Sequence, residues 1–244
     1  MEQRILFLTD FHVPYNIPLD PIFQFTKDFK PTTLILGGDV HDWTSVSMWI
    51  ADQSRALDGG TIEQNYEQMK NVVLDPLYRA IGKDCGVVFL TGNHEDWLSQ
   101  AARLNPNGRG FWELENNLAD YEMSIRPINV PYRASKNLVY IHGIYTNEYH
   151  AKKTVGAYHN SVLYGHTHDR QEYTEVSPID AHKLYKGASC GCLCTRNPNY
   201  LRNKPNRWVN GFNYAYLDSK TGDFNDFFVY IIKNRFWANG HRYK

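Results

Sequence analysis

A chain of 244 residues with 42% hydrophobic content is long enough to bury a full core and too apolar for wholesale disorder. Its formal net charge of zero hides an asymmetry. From Lys183 to Lys244 there are eleven Lys or Arg against three Asp or Glu, whereas the first 182 residues hold fifteen basic and twenty-three acidic side chains. The acidic part calls for cations and the basic part for an anion, and no apolar run is long enough for a secretory core or a membrane span.

In chain order, Ile5 to Thr9 reads as a buried strand that ends at Asp10. Asp20-Pro21 offers an N-cap and a first-turn proline for a helix through about Phe29. Thr33 to Leu36 is a second strand, ending in Gly37-Gly38-Asp39. Thr61 and Gln64 have capping-box spacing before a helix with Ile62, Tyr66, Met69 and Val73 on one face, and Pro76 is expected to kink or end it. Further buried strands are Val87 to Leu90, Leu138 to Ile141 and Ser161 to Tyr164. They end at Asn93-His94, His142 and Gly165-His166 respectively. The first two-thirds therefore reads as an α/β sheet. Segments around Glu172, Tyr185, Cys192, Tyr214 and Phe228 read as antiparallel strands, with Cys190, Cys192 and Cys194 on one strand face. No repeat or linker interrupts the chain, so one domain, 1–244, is expected.

Five strands each end in a polar cluster: Asp10 with His12, Asp39 with Asp42, Asn93 with His94, His142, and His166 with His168. Ligands of open α/β sheets gather at the carboxyl ends of strands, so five strands of one sheet would deliver these groups to one edge. Carboxylate, imidazole and amide oxygen without thiolate suit ions such as Mn, Fe or Zn. Seven such donors exceed one structural zinc site and suit two ions sharing a carboxylate.

Asp10-Phe11-His12, Gly38-Asp39-Val40-His41-Asp42, Gly92-Asn93-His94-Glu95, His142 and Gly165-His166-Thr167-His168 resemble, in order, the motifs of the calcineurin-like metallophosphoesterase superfamily, in the compact form of small bacterial and bacteriophage members. The resemblance implies an αββα four-layer sandwich: two stacked, mainly mixed β-sheets flanked by helices. It implies two divalent ions, Mn2+ first, with Fe, Zn, Co, Ni or Mg as alternatives. Asp10, His12 and His168 would bind one ion, Asn93, His142 and His166 the other, and Asp39 both. A metal-bridging hydroxide would attack phosphorus, His94 would protonate the leaving oxygen, and Asp42 would orient His94. Many members carry Arg after the second Asp of the second motif; here that position is Trp43, so another group must hold the phosphate.

The expected activity is hydrolysis of a nucleotide phosphoester. The alternatives are a phosphodiesterase or nuclease on DNA or RNA, reached through the basic segment 183–210, and an inactive binding or scaffold protein. Between Arg196 and Phe212, Arg196, Arg202, Lys204 and Arg207 alternate with Tyr200, Trp208 and Phe212, a mixture that can stack bases and hold phosphates or be an ordinary loop. Trp43, Trp97 and Trp112 either wall the pocket or pack in the core. His41, His150 and His159 read as structural or solvent-facing. The three clustered cysteines read as packing residues rather than a soft-metal site. Cysteine usage points to a reducing, cytoplasmic compartment (host cytoplasm if phage-encoded) and no membrane association.

Overall fold

The computed structural model describes residues 2–47, 60–198 and 201–244. Alternation of apolar side chains along the early strands builds two cores at once. In β1 (Glu2–Leu8), Ile5 and Phe7 face one way and Leu6 and Leu8 the other, and all four are buried. β1 is followed by α1 (Asp20–Phe29), β2 (Thr33–Leu36), α2 (Ile62–Met69), α3 (Asp75–Ala80), β3 (Gly86–Leu90), α4 (Asn93–Leu104), two four-residue helical turns and β4 (Ser124–Arg126). Strands β1 to β4 are parallel neighbours. The antiparallel β10 (Gly211–Asp218) and β11 (Phe224–Tyr230) complete a six-stranded sheet ordered β11-β10-β1-β2-β3-β4.

The second sheet holds β5 (Tyr132–Arg133), β6 (Leu138–Ile141), β7 (Ser161–Tyr164), β8 (Glu172–Ser177) and β9 (Asp180–Ser189), ordered β5-β6-β7-β9-β8. Ile5, Phe7, Ile35 and Val88 of the first sheet pack on Leu138, Tyr140, Leu163 and Ala188 of the second, with the Phe7 and Tyr140 rings 5.2 Å apart. The opposite face of the first sheet meets α1, α2 and α3 through Leu6, Leu34, Phe25, Tyr66 and Leu77. The outer face of the second sheet packs against α5 (His150–Tyr158) through Val162 and Tyr164. The result is helix, sheet, sheet, helix, as the resemblance implied.

Local readings mostly hold at their expected places. Thr61 and Gln64 form the capping box. Asp20, however, is inside α1, whose N-cap is Leu19 without a side-chain bond. Pro76 does not end its helix: the turn Lys70–Leu74 is a π-helix, with Asp75 N–H bonded to Lys70 O, and α3 continues through Pro76. The ladder thus changes to π spacing immediately before Pro76, the position that has no N–H to offer it. The cysteine run is not a strand. Residues 190–194 form the connection after β9, pinned by a bridge from Cys192 to Asn210, with Gly191 at φ +65. All three thiols are nonetheless buried. β9 also pairs parallel with β7, so the later part is not purely antiparallel.

Phe25 joins the C-terminal hairpin β12 (Phe236–Ala238) and β13 (His241–Tyr243) to the body. Its ring lies 5.3 Å from Phe29, 5.2 Å from Phe212, 6.0 Å from Phe236 and 5.5 Å from Tyr243. Phe212 is therefore a core residue and closed to a ligand. Among the described residues no helix is long and apolar enough to cross a membrane. Phe25→Ala is expected to destabilise the fold by about 3–5 kcal/mol, read as a lower urea midpoint at unchanged slope.

Candidate metal centre

The polar clusters converge because parallel strands point their carboxyl ends one way. The source differs from expectation: Asp10, His12, Asp39, Asp42, Asn93 and His94 follow β1, β2 and β3 of one sheet, whereas His142, His166 and His168 follow β6 and β7 of the other. The site straddles two stacked sheets rather than lining one.

Asp39 sits at the middle. Its Oδ2 lies 3.3 Å from His142 Nε2, 3.7 Å from His12 Nε2 and 3.9 Å from His94 Nε2. Two groups of ligand atoms share it: Asp10, His12, Asp39 and His168 on one side, Asp39, His142 and His166 on the other, each within 4.8 Å of one another. Asn93 joins the second group, its Oδ1 3.1 Å from His142 Nε2. His12 Nε2 and His168 Nε2 face each other at 3.1 Å, and His168 Nε2 is also 3.1 Å from Asp10 Oδ1. Nitrogen lone pairs and carboxylate oxygens crowded on one point, almost wholly out of water, are a donor set that fits a cation.

The far side of two of the rings is fixed. His12 Nδ1 donates to Asp42 Oδ1 at 3.0 Å, and His142 Nδ1 donates to the Gly37 carbonyl at 2.8 Å. With Nδ1 carrying the proton, Nε2 is left to face the cluster. Asp42 contacts His94 differently from expectation. Its carboxylate serves His12 and accepts from Thr44 Oγ1 at 2.7 Å, while its main-chain carbonyl accepts from His94 Nδ1 at 2.7 Å. The Asp42 carboxylate stands 3.6 Å from that nitrogen. Asp42 thus orients His94 through its backbone.

The convergence strains the backbone. Asp10, His12, Asp39, His166 and His168 all have φ between +49 and +70, in the left-handed region that non-glycine residues avoid. They are held there by Asp10 N–H to Gly38 O, His12 N–H to Asp39 O, and His166 N–H to the Asp10 carboxylate. Glu95, quoted in the third motif but given no role, is fully buried and binds the second motif. Its carboxylate accepts from Asp39 N–H at 2.7 Å, Val40 N–H at 2.8 Å and Gly92 N–H at 3.0 Å. His94 N–H, in the first turn of α4, donates to Asp39 Oδ1 at 2.9 Å.

Charge balance follows. Burial works to raise the Asp39 pKa, yet the charges of His142 and His94 hold the carboxyl well below the usual carboxylate range. Burial likewise opposes ionisation of Asp10, and His168 brings its pKa down by charge and hydrogen bond. Burial pulls His142 down, but the Asp39 charge and hydrogen bond push it up to about 10. Burial pulls His12 down as well, but its bond to Asp42 and the charges of Asp39 and Asp42 together raise it. Burial lowers His94.

The tryptophans divide. Trp43 is fully buried, with its indole N–H towards Glu95 Oε1 at 3.4 Å and its ring on Tyr66, so it packs the core. Trp112 packs partly buried against the same core. Trp97 lies against His94, ring centroids 4.1 Å apart and tilted by 38°. Trp208 lies against His168 at 4.2 Å, a contact that only the folded chain reveals. Arg196, Arg202, Lys204 and Arg207 are exposed; Tyr200 lies outside the described residues. His41 is buried, accepting from Trp43 N–H. His150 is buried between Tyr164 and Asp169, and His159 is exposed at the end of α5. The thiols of Cys192 and Cys194 come within 4.8 Å of a His168 nitrogen; Cys194 Sγ is 3.8 Å from Nδ1, and sequence spacing gave no sign of it.

Two glycines measure how tight the cluster is. A Cβ on Gly92 would lie 2.2 Å from Asp39 Oδ1, and one on Gly165 would lie 2.3 Å from Asp10 Oδ2. Gly92→Ala and Gly165→Ala are expected to weaken Mn2+ binding by at least tenfold, measured by calorimetric titration. Because His142 and His12 hold protons more tightly than ordinary imidazoles, and a ligand imidazole must be neutral, metal binding should release protons. Apparent Mn2+ affinity should therefore tighten as pH rises towards the His142 value of about 10. Titrations in buffers of different ionisation enthalpy read this directly, and heats independent of buffer would contradict it.

No family model matches the sequence, and no curated protein matches it. Solved structures do match in shape. Wild-type Vps29 from Entamoeba histolytica, complexed with Zn2+, is 11% identical with a TM-score of 0.50, covering 98% of this chain and 97% of that one. A double mutant of the same protein is 12% identical with a TM-score of 0.50, covering 95% and 94%. At such identities the likeness speaks to architecture alone: the chain has the metallophosphoesterase-type fold, with mixed sheets flanked by helices.

Proposed function

We propose that this protein is a metal-dependent phosphoester hydrolase acting on nucleotides, working as one domain in the cytoplasm. The carrying observation is the sharing of Asp39 between two groups of ligand atoms. Asp10, His12 and His168 would hold one divalent ion, Asn93, His142 and His166 the other, and Asp39 both. Mn2+ is the first choice, and the Zn2+ complex of the structural neighbour makes Zn2+ the alternative to test. Two ions so held supply Lewis-acid charge for the phosphoryl oxygens and an activated water.

The chain's own residues do the rest. His94 has Nδ1 tied to the Asp42 carbonyl and turns Nε2 towards Asp39. It is placed to give a proton to the departing oxygen once protonated on both nitrogens; burial lowers its pKa despite the carbonyl and the nearby carboxylates, so that proton is readily released. Trp97 covers its ring and limits water. Trp43 is sealed in the core, so it takes no part in holding the phosphate.

His94→Ala is expected to keep both ions and lose about a hundred- to ten-thousand-fold in turnover on a poor leaving group, while a nitrophenolate leaving group, needing no proton, suffers less. Equal losses on both would remove His94 from the acid role. Absence of any hydrolysis of an activated phosphodiester with added Mn2+ would favour the binding-protein alternative. A second reading, phosphodiester cleavage in a nucleic-acid strand, draws support from Trp208 against His168 in the basic part of the chain.

A further inference from the structure

Trp208, which meets the His168 ring edge-on, also lines a cavity of about 280 Å³ together with Arg196, Asn210, Tyr230, Ile232 and Lys233. The volume sits just below the range for whole small-molecule ligands and is nearer the size of one base. Tyr230 and Ile232 are 54% and 66% exposed, large apolar groups left open beside two cations. No acidic side chain lines the cavity, and neither Arg196 nor Lys233 pairs with an acid among the described residues. The cavity is tied to the metal centre by covalent and hydrogen-bonded neighbours: Val209 N–H donates to the His168 carbonyl at 2.7 Å.

We propose that this cavity is a subsite for single-stranded nucleic acid. It takes the base next to the scissile phosphate against Trp208 and Tyr230, with the following phosphate between Arg196 and Lys233. The position of the scissile phosphate rests on the hydrolase reading above; the subsite itself does not. Aromatic faces beside cations suit unpaired bases, because every base has a stackable face, whereas bases inside a duplex have theirs covered. The zero net charge of the whole chain also argues against a duplex, which needs a broad basic surface. The basic excess is local. Lys186 is already paired with Asp226 and Glu172. Lys183 lies six residues before the end of β9, about 20 Å from the metal edge at the usual rise per strand residue. Arg196 and Lys233 are the cations that line the cavity itself.

The test is fluorescence anisotropy with a labelled six-nucleotide single-stranded DNA in EDTA, where hydrolysis cannot intervene, over a range of salt. Trp208→Ala should weaken binding about 5- to 150-fold, the worth of one stacked base, and Trp208→Phe should recover much of it. The Arg196→Ala/Lys233→Ala variant should flatten the salt slope by about 1.4, at roughly 0.7 for each cation withdrawn from the strand. Melting temperatures confirm that each variant is folded. Affinity unchanged in both folded variants, or duplex bound as tightly as the single strand, overturns the subsite. Strand binding that depends on Trp208 in a protein that hydrolyses nothing would sink the hydrolase reading and leave the subsite standing. Hydrolysis with Trp208-independent binding would do the reverse.

Discussion

The structure turns on a carboxylate taken out of water. Asp39 has 2% exposure, and a buried anion survives only if charges and donors surround it. Three imidazole nitrogens within 4 Å of its Oδ2 and the His94 N–H on Oδ1 do so. The neighbouring Glu95 is buried for the same reason, saturated by the N–H groups of the loop that presents Asp39. Two acids, one binding the loop and one facing the cluster, set the position of everything else at the rim. The left-handed residues, the glycines pressed against carboxylates and the tied imidazoles are all consequences of bringing this many donors to one point.

Much of this was legible because it is local. Apolar runs of four or five residues ending in Asp, Asn or His mark strands that feed a site, and five of them in order carry a topology with them. The capping box at Thr61 and the strands at Thr33, Leu138 and Ser161 begin where residue chemistry puts them. What was not legible depends on pairing across the fold. Apolar runs do not state which sheet a strand joins, so nothing in them separates β6 and β7 from β1 to β3. Pro76 was expected to kink or end its helix; the helix runs on through it, with π spacing over Lys70–Leu74 just before, which no local pattern announces. Alternating cysteines matched a strand pattern, but Gly191 in the left-handed region turns the chain there.

The site shows the same division. Residue types named the cluster, and their convergence follows from parallel strands. The division of labour within it does not. That the Asp42 carboxylate serves His12 while its carbonyl serves His94 is a matter of tenths of an ångström in a loop. Glu95 looks in sequence like an ordinary first-turn acid, because two of the N–H groups it binds lie more than fifty residues away. Trp208 looks like one aromatic among several until the bond from Val209 N–H to the His168 carbonyl holds it beside that ring.

The stacking of two sheets has a thermodynamic corollary. Each proposed ion would take ligands from both layers: Asp10 and His12 from one with His168 from the other, Asn93 from one with His142 and His166 from the other. An ion so held is a clasp across the seam where Phe7 meets Tyr140, and neither layer alone could retain it. Occupancy and the mating of the layers are then a single linked equilibrium, in which loading the centre resists their parting and loosening the seam empties the centre.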